Sequence, residues 1–115
     1  MLLDSDETRL RHMIEAAREA VSYVERITRQ QFNSERPLQH SVIRCIEIIG
    51  EAASRLTPEF REATPDIPWS DIIGMRNRIV HAYFDIDLDI VWQTARHELP
   101  AMLPQLEALL PQGKD

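Results

Sequence analysis

The stretch DSDETRLRHMIEAAREAVSYVERITRQ, residues 4–30, decides the fold class. Its apolar residues Leu10, Met13, Ile14, Ala17, Ala20, Val21, Val24 and Ile27 recur at spacings of three and four, which is one continuous stripe on an α-helix. Ser5, with acids behind it, is placed to cap the helix and to complement its dipole. The pattern predicts a helix over Asp6 to Arg29, roughly 36 Å long at about 1.5 Å per residue. A stripe of this length needs partners of the same kind to bury it.

The chain supplies them. After the connector NSERPL, with Pro37 suited to a first helical turn, the segment LQHSVIRCIEIIGEAASRL puts Leu38, Val42, Ile46, Ile49, Ala53 and Leu56 on one stripe. Ile43, Ile48 and Ala52 fall off that stripe, so this helix is apolar on more than one face and reads as central, or as facing a second subunit. Gly50, Ala52 and Ala53 are small enough for another helix to approach closely. TPEFREATPDIPW holds three of the seven prolines and reads as a loop with one helical turn near Glu59–Glu62. A third helix is predicted from Trp69 through Tyr83. FDIDLDI alternates like a strand but has no second strand to pair with, so it reads as a turn, with Asp87 capping the last helix. That helix carries Leu88, Val91, Trp92, Ala95, Leu99, Met102, Leu103, Leu106 and Leu110. Pro100 must kink or break it, because proline removes a backbone donor and clashes with the preceding turn. The expected fold is an all-α antiparallel four-helix bundle in a single domain over residues 1–115, with about 111–115 as a polar tail.

Composition narrows the function. A net charge of −6, from 19 acidic and 13 basic residues, is the wrong sign for gripping nucleic acid through bulk electrostatics. Any RNA chemistry must rest on a few placed residues. One cysteine, Cys45, excludes an internal disulfide and a thiolate metal cluster, and reads as a small buried hydrophobe. The N-terminal MLLDSDETRL is neither a signal nor a transit peptide, and no run reaches the ~18 apolar residues of a membrane span. A cytoplasmic protein without membrane contact is expected.

RNRIVHAY, residues 76–83, is the polar cluster inside an otherwise apolar segment. On a straight helix Asn77 and His81 share a face, whereas Arg76 and His81, five apart, diverge by about 140°. A long arginine side chain, or a second copy of the helix across a dimer axis, can still bring the two together. Such a set supports RNA cleavage without metal. Histidine takes a proton from a ribose 2′-hydroxyl or gives one to the leaving oxygen. Arginine offers charge and forked donors to the phosphorane. Asn77 can hold the imidazole or a phosphate oxygen, and Tyr83 is a modifiable phenol that can orient or shield the site. The plain alternative makes Arg76 and Arg78 solvated charges paired with Asp71, Asp85 or Asp87, and His81 a donor to a backbone carbonyl.

RNRIVHAY also fits the Arg-x4-His-x-Tyr motif of the HEPN superfamily and resembles its HepT-like toxins. IGEAASRL at 49–56, PDIPWSDIIGMRNRIVHAYFDID at 65–87 and VWQTARHELP at 91–100 resemble that family's landmarks in order. The resemblance implies a homodimeric HEPN bundle whose two motif helices line one cleft. It implies a metal-independent ribonuclease with no cofactor, the toxin of a type VII-like toxin–antitoxin module acting on RNA. Its antitoxin would be a minimal nucleotidyltransferase of the MNT type that adds AMP to the motif tyrosine. Carried over, Arg76 and His81 are catalytic, Asn77 is the supporting polar residue and Tyr83 is the AMP acceptor; Arg78 matches no role.

Other candidates are weaker. Asp85, Asp87 and Asp89 resemble the start of a calcium loop, but Ile90 stands where glycine is needed and Arg96 where a bidentate glutamate is needed. His12, His40, His81 and His97 show no paired metal spacing, and the three outside the motif read as surface residues. Glu47 and Glu51 share a helix face, but Arg44 and Arg55 nearby make a salt-bridged surface the better reading. Trp69 and Trp92 read as core anchors. Two further classes stay open: a non-catalytic nucleotide-binding or partner-docking module for a minimal nucleotidyltransferase, and a subunit of a helical assembly.

Overall fold

The structure, a computed structural model, describes residues 2–82 and 85–111, and for His81 and Ala82 the backbone alone. In chain order it comprises α1 (Asp4–Val24), α2 (Arg29–Asn33), α3 (Arg36–Ser54), α4 (Pro58–Ala63), α5 (Trp69–Ile73), α6 (Met75–Ile79), β1 (Val80–Ala82), β2 (Asp85–Ile86), α7 (Leu88–Gln93), a π-helical turn (Thr94–Glu98) and α8 (Leu99–Glu107). The last three form one continuous rod, because the residues at both junctions keep helical backbone angles.

Helix α1 begins at Asp4 and has no side-chain cap, so Ser5 lies inside the helix and does not cap it. Asp4, Asp6 and Glu7 in the first turn still meet the dipole with favourable charge. The helix also stops earlier than its apolar stripe. Thr28 and Gln31 form a capping box that starts α2, with Gln31 N–H donating to Thr28 Oγ1 at 3.1 Å and Thr28 N–H donating to Gln31 Oε1 at 2.8 Å. Arg96 closes the other side of this break, its Nη1 donating to Val24 O at 3.0 Å and Glu25 O at 2.8 Å. A cation thus sits on the carbonyl end of α1, where the dipole favours it.

Side-chain links fix the directions of the long helices. Asp6 at the start of α1 meets Thr57 just after the end of α3, so α1 and α3 run antiparallel. Arg96 reaches the end of α1 while Arg18, earlier in that helix, pairs with Glu107, so α8 also runs against α1. Between these rods lies a core with Leu10, Met13, Ala17, Ala20 and Val24 from α1, Val42, Ile46, Ile49 and Ala53 from α3, and Leu99 and Leu106 from α8. The periodic stripes read from the sequence are the buried faces. Ile43 and Ile48, off the α3 stripe, are half-buried. Cys45 is buried, as expected. Trp69 is buried too, with Nε1 donating to Thr64 Oγ1 at 3.0 Å, while Trp92 is half-buried against Phe32, ring centroids 5.3 Å apart.

Gly50 is where α3 meets α5. A methyl group there would stand 3.3 Å from the backbone oxygen of Ile73, so only a residue without Cβ fits the crossing undisturbed. Pro100 deforms the last rod as expected, and the form is specific: it falls in the first turn of α8, directly after the π-helical turn. The rod thus continues through the proline instead of breaking, with proline and a wider π-turn, two recognised causes of helix kinks, side by side.

The segment 69–90 departs most from expectation. The predicted third helix breaks at Gly74 and ends at Ile79, and the chain then forms a two-stranded antiparallel ribbon. FDIDLDI is therefore partly strand: the partner it lacked in the sequence is Val80–Ala82, inside the supposed helix. Val80 pairs with Ile86 and Ala82 with Asp85, which leaves His81 as the extra residue of a β-bulge. Asp87 N–H donates to Ile79 O at 2.8 Å, and its carboxylate then caps α7 by accepting from Ile90 N–H at 3.1 Å. Tyr83, the expected AMP acceptor, and the polar tail at 112–115 lie outside the described residues.

Candidate active site

Helix α6 begins at Met75, whose buried side chain anchors the segment in the core and leaves Arg76, Asn77 and Arg78 exposed. Ile79 then returns to the core. This short pattern fixes where the two arginines go. Arg76 turns toward α3, with its Nε donating to Glu47 Oε2 at 3.0 Å. Arg78 turns the opposite way and pairs with Glu98, at the end of the π-helical turn, at 3.4 Å. Both therefore pair with glutamates distant in sequence, where sequence proximity suggests aspartates.

Arg76 stands on the wall of a cleft of about 730 Å³, lined also by Arg9 and His12 of α1 and by Arg44, Glu47, Ile48, Glu51, Ala52 and Arg55 along one face of α3 and its end. Glu47 bridges two of the cations, with Arg44 Nη1 at 3.8 Å from one carboxylate oxygen and Arg76 Nε at 3.0 Å from the other. One turn on, Glu51 holds Arg55 at 2.8 Å. The salt-bridged reading of Glu47 and Glu51 is therefore the observed one. Four arginines face two glutamates here, a surplus of two positive charges before His12 is counted, on a chain of net charge −6. Arg78 lies in a separate cleft with Asp66, Asp71 and Glu98, so the motif arginine Arg76 and its neighbour Arg78 face different surfaces.

His81 follows Arg76 by five residues but not by helical geometry, since the chain becomes extended at Val80. The angular arithmetic of a straight helix does not apply to it. Asn77 is exposed on α6, in neither cleft wall.

Sequence reasoning missed Arg9, Arg44 and the cleft role of His12. His12 is on the surface as expected, yet that surface is the cleft wall. The spacing Arg44, Glu47, Glu51, Arg55 marked one polar face of a helix, but nothing in it said that α6 and the start of α1 would border the same face. Among the described residues no group of three or more His, Cys, Asp or Glu side chains is placed to hold a metal ion, and no helix is long and apolar enough to cross a membrane.

The Ribonuclease HepT-like family model matches residues 13–109, nearly the whole helical bundle with the Arg76 segment inside it. The chain belongs to this family. Relatives named as RNases are similar to this HepT-like chain over most of both lengths. "Probable ribonuclease HepT" of Thermococcus cleftensis is 34% identical over 100 residues, covering 84% of this chain and 91% of that one. "Putative RNase MJ1216" of Methanocaldococcus jannaschii is 31% identical over 105 residues, 90% of this chain and 87% of its own. "Putative RNase TTE0752" of Caldanaerobacter subterraneus is 33% identical over 105 residues, 91% of this chain and 94% of its own. No solved structure matches the chain. The helical bundle and the family membership agree on an all-α HEPN-type fold, carrying one short ribbon within it.

Proposed function

We propose that this HepT-like chain is a metal-independent endoribonuclease, the toxin of a two-gene module, acting in the cytoplasm as a homodimer with Arg76 and His81 at the reacting phosphate. The observation that carries this reading is the position of Arg76: the motif arginine of a ribonuclease family stands on the wall of a cleft whose arginines outnumber its acids. In the reaction, His81 removes the 2′-hydroxyl proton and the 2′-oxygen attacks the adjacent phosphorus. The P–O5′ bond breaks, leaving a 2′,3′-cyclic phosphate and a 5′-oxygen that takes up, as a hydroxyl, the proton His81 has accepted. Arg76 donates to the phosphorane oxygens as charge builds on them. Asn77 supports this set. Tyr83 accepts AMP from a nucleotidyltransferase antitoxin of the MNT type, which silences the site.

The test is cleavage of RNA by purified protein in EDTA, wild type beside Arg76→Ala and His81→Ala, with the product ends identified. Cyclic phosphate ends from wild type, and loss of cleavage in both variants, are expected. Cleavage by both variants at the wild-type rate would refute the assignment of the two residues. No cleavage by unmodified wild type on any RNA tried would favour a non-catalytic module that binds nucleotide or docks the nucleotidyltransferase, a reading that the acidic overall charge supports.

A further inference from the structure

We propose that the α1–α3 wall of the cleft is a backbone-phosphate subsite, in which Arg9 and Arg44 seat RNA nucleotides flanking the bond beside Arg76. This rests on the ribonuclease reading and extends it to residues outside the motif. Three observations point to it. The first is the local surplus of positive charge on an acidic chain, which favours a polyanion in this cleft.

The second is Arg9. Its Nε is shut off from solvent and has no hydrogen-bond acceptor among the described residues. A buried donor without an acceptor is costly, and the residue that carries it lines the cleft, so the Arg9 charge is available to an anion bound there. The third is how the remaining cations are held. Glu47 fixes Arg76 through Nε, leaving both terminal nitrogens of its guanidinium to donate to a phosphate. Glu51 binds Arg55 through Nε and Nη2. Arg44 is only loosely engaged, at 3.8 Å, and largely exposed. Arg55 and Arg76 are therefore pre-oriented, while Arg9 and Arg44 supply the uncommitted charge. The occupant that matches guanidinium groups gathered around one cleft from α1, α3 and α6 is a chain of phosphodiesters.

The test uses a fluorescein-labelled 2′-O-methyl oligoribonucleotide, which lacks the attacking hydroxyl, titrated with full-length protein by anisotropy across a range of NaCl. Wild type is compared with Arg9→Gln/Arg44→Gln and with Arg26→Gln/Arg36→Gln, which removes the same charge outside the cleft. The cleft variant should bind about tenfold more weakly, and its log–log salt slope should fall by about 1.4, the loss of two contacts to a single strand. The control pair should stay within about twofold of wild type, with all proteins equally folded by circular dichroism. Equal binding by wild type and the cleft variant would overturn the proposal, as would equal losses in both double variants or no binding by wild type. The two readings fail separately. Cleft-dependent binding without cleavage by wild type sinks the nuclease and keeps the phosphate subsite. His81-dependent cleavage with unchanged binding by the cleft variant does the reverse.

Discussion

Asp6 offers the sharpest check on how the bundle is held. It is a carboxylate only 2% exposed, and both its oxygens are used by one residue 51 positions away. Oδ1 accepts from Thr57 N–H at 2.9 Å and Oδ2 from Thr57 Oγ1 at 2.7 Å. Thr57 in turn caps α4 by accepting from Phe60 N–H at 3.2 Å. Asp6→Ala removes two charge-assisted bonds at about 1.5 kcal/mol each and strands a shielded N–H, so a loss of about 3 kcal/mol is expected. In a domain of this size that is about 12 °C in Tm. Asp6→Asn keeps an acceptor for the Thr57 N–H and puts its amide against a hydroxyl lone pair, so it should cost only about 1 kcal/mol. Urea unfolding followed by far-ultraviolet circular dichroism, at one fixed protein concentration, measures both. A loss under about 1 kcal/mol for the alanine variant would refute the claim that this link ties α1 to the end of α3. Arg9 lies one turn beyond Asp6, so the alanine variant should also disturb the cleft wall.

Further expectations follow from other positions. Gly50→Val should destabilise the fold by about 2 kcal/mol, because its branches drive into the Ile73 carbonyl, whereas Gly50→Ala should stay within about 1 kcal/mol as helix propensity offsets a slight crowding; thermal melts decide both. Burial pushes the Cys45 thiol up to about 11, with Glu19 adding to the rise and Arg44 opposing it. At pH 8 only about one molecule in a thousand carries the thiolate, so native protein should react with Ellman's reagent far more slowly than unfolded protein. Because the folded thiol holds its proton above the pH at which the unfolded one releases it, this group's contribution to stability is complete below about pH 9 and declines toward pH 11, which unfolding curves across that range would show. Arg78→Ala should leave RNA cleavage within about twofold of wild type, since Arg78 faces Glu98 and away from the arginine cleft; a loss approaching that of Arg76→Ala, measured under the same conditions, would contradict the separation of the two surfaces.

The bundle is legible in residue spacing alone. The stripes of α1, α3 and the last rod are written in spacings of three and four, and burial of those residues follows because no other arrangement removes them from water. The capping box at Thr28 and Gln31 was also present in the sequence, but a stripe that continued to Ile27 masked it, and only the structure shows the cap ending α1 early. The motif arginine and histidine were legible as residue types at a spacing. Their geometry was not, because a strand's hydrogen bonds lie between segments: Val80–Ala82 becomes a strand only when Asp85–Ile86 folds back onto it, and local propensity cannot announce a partner. The cleft is the purest product of tertiary structure. Arg9, Arg44 and Arg76 lie far apart along the chain, only Arg76 stood out by its motif, and the packing of α1 and α6 against α3 brings the three to one cleft.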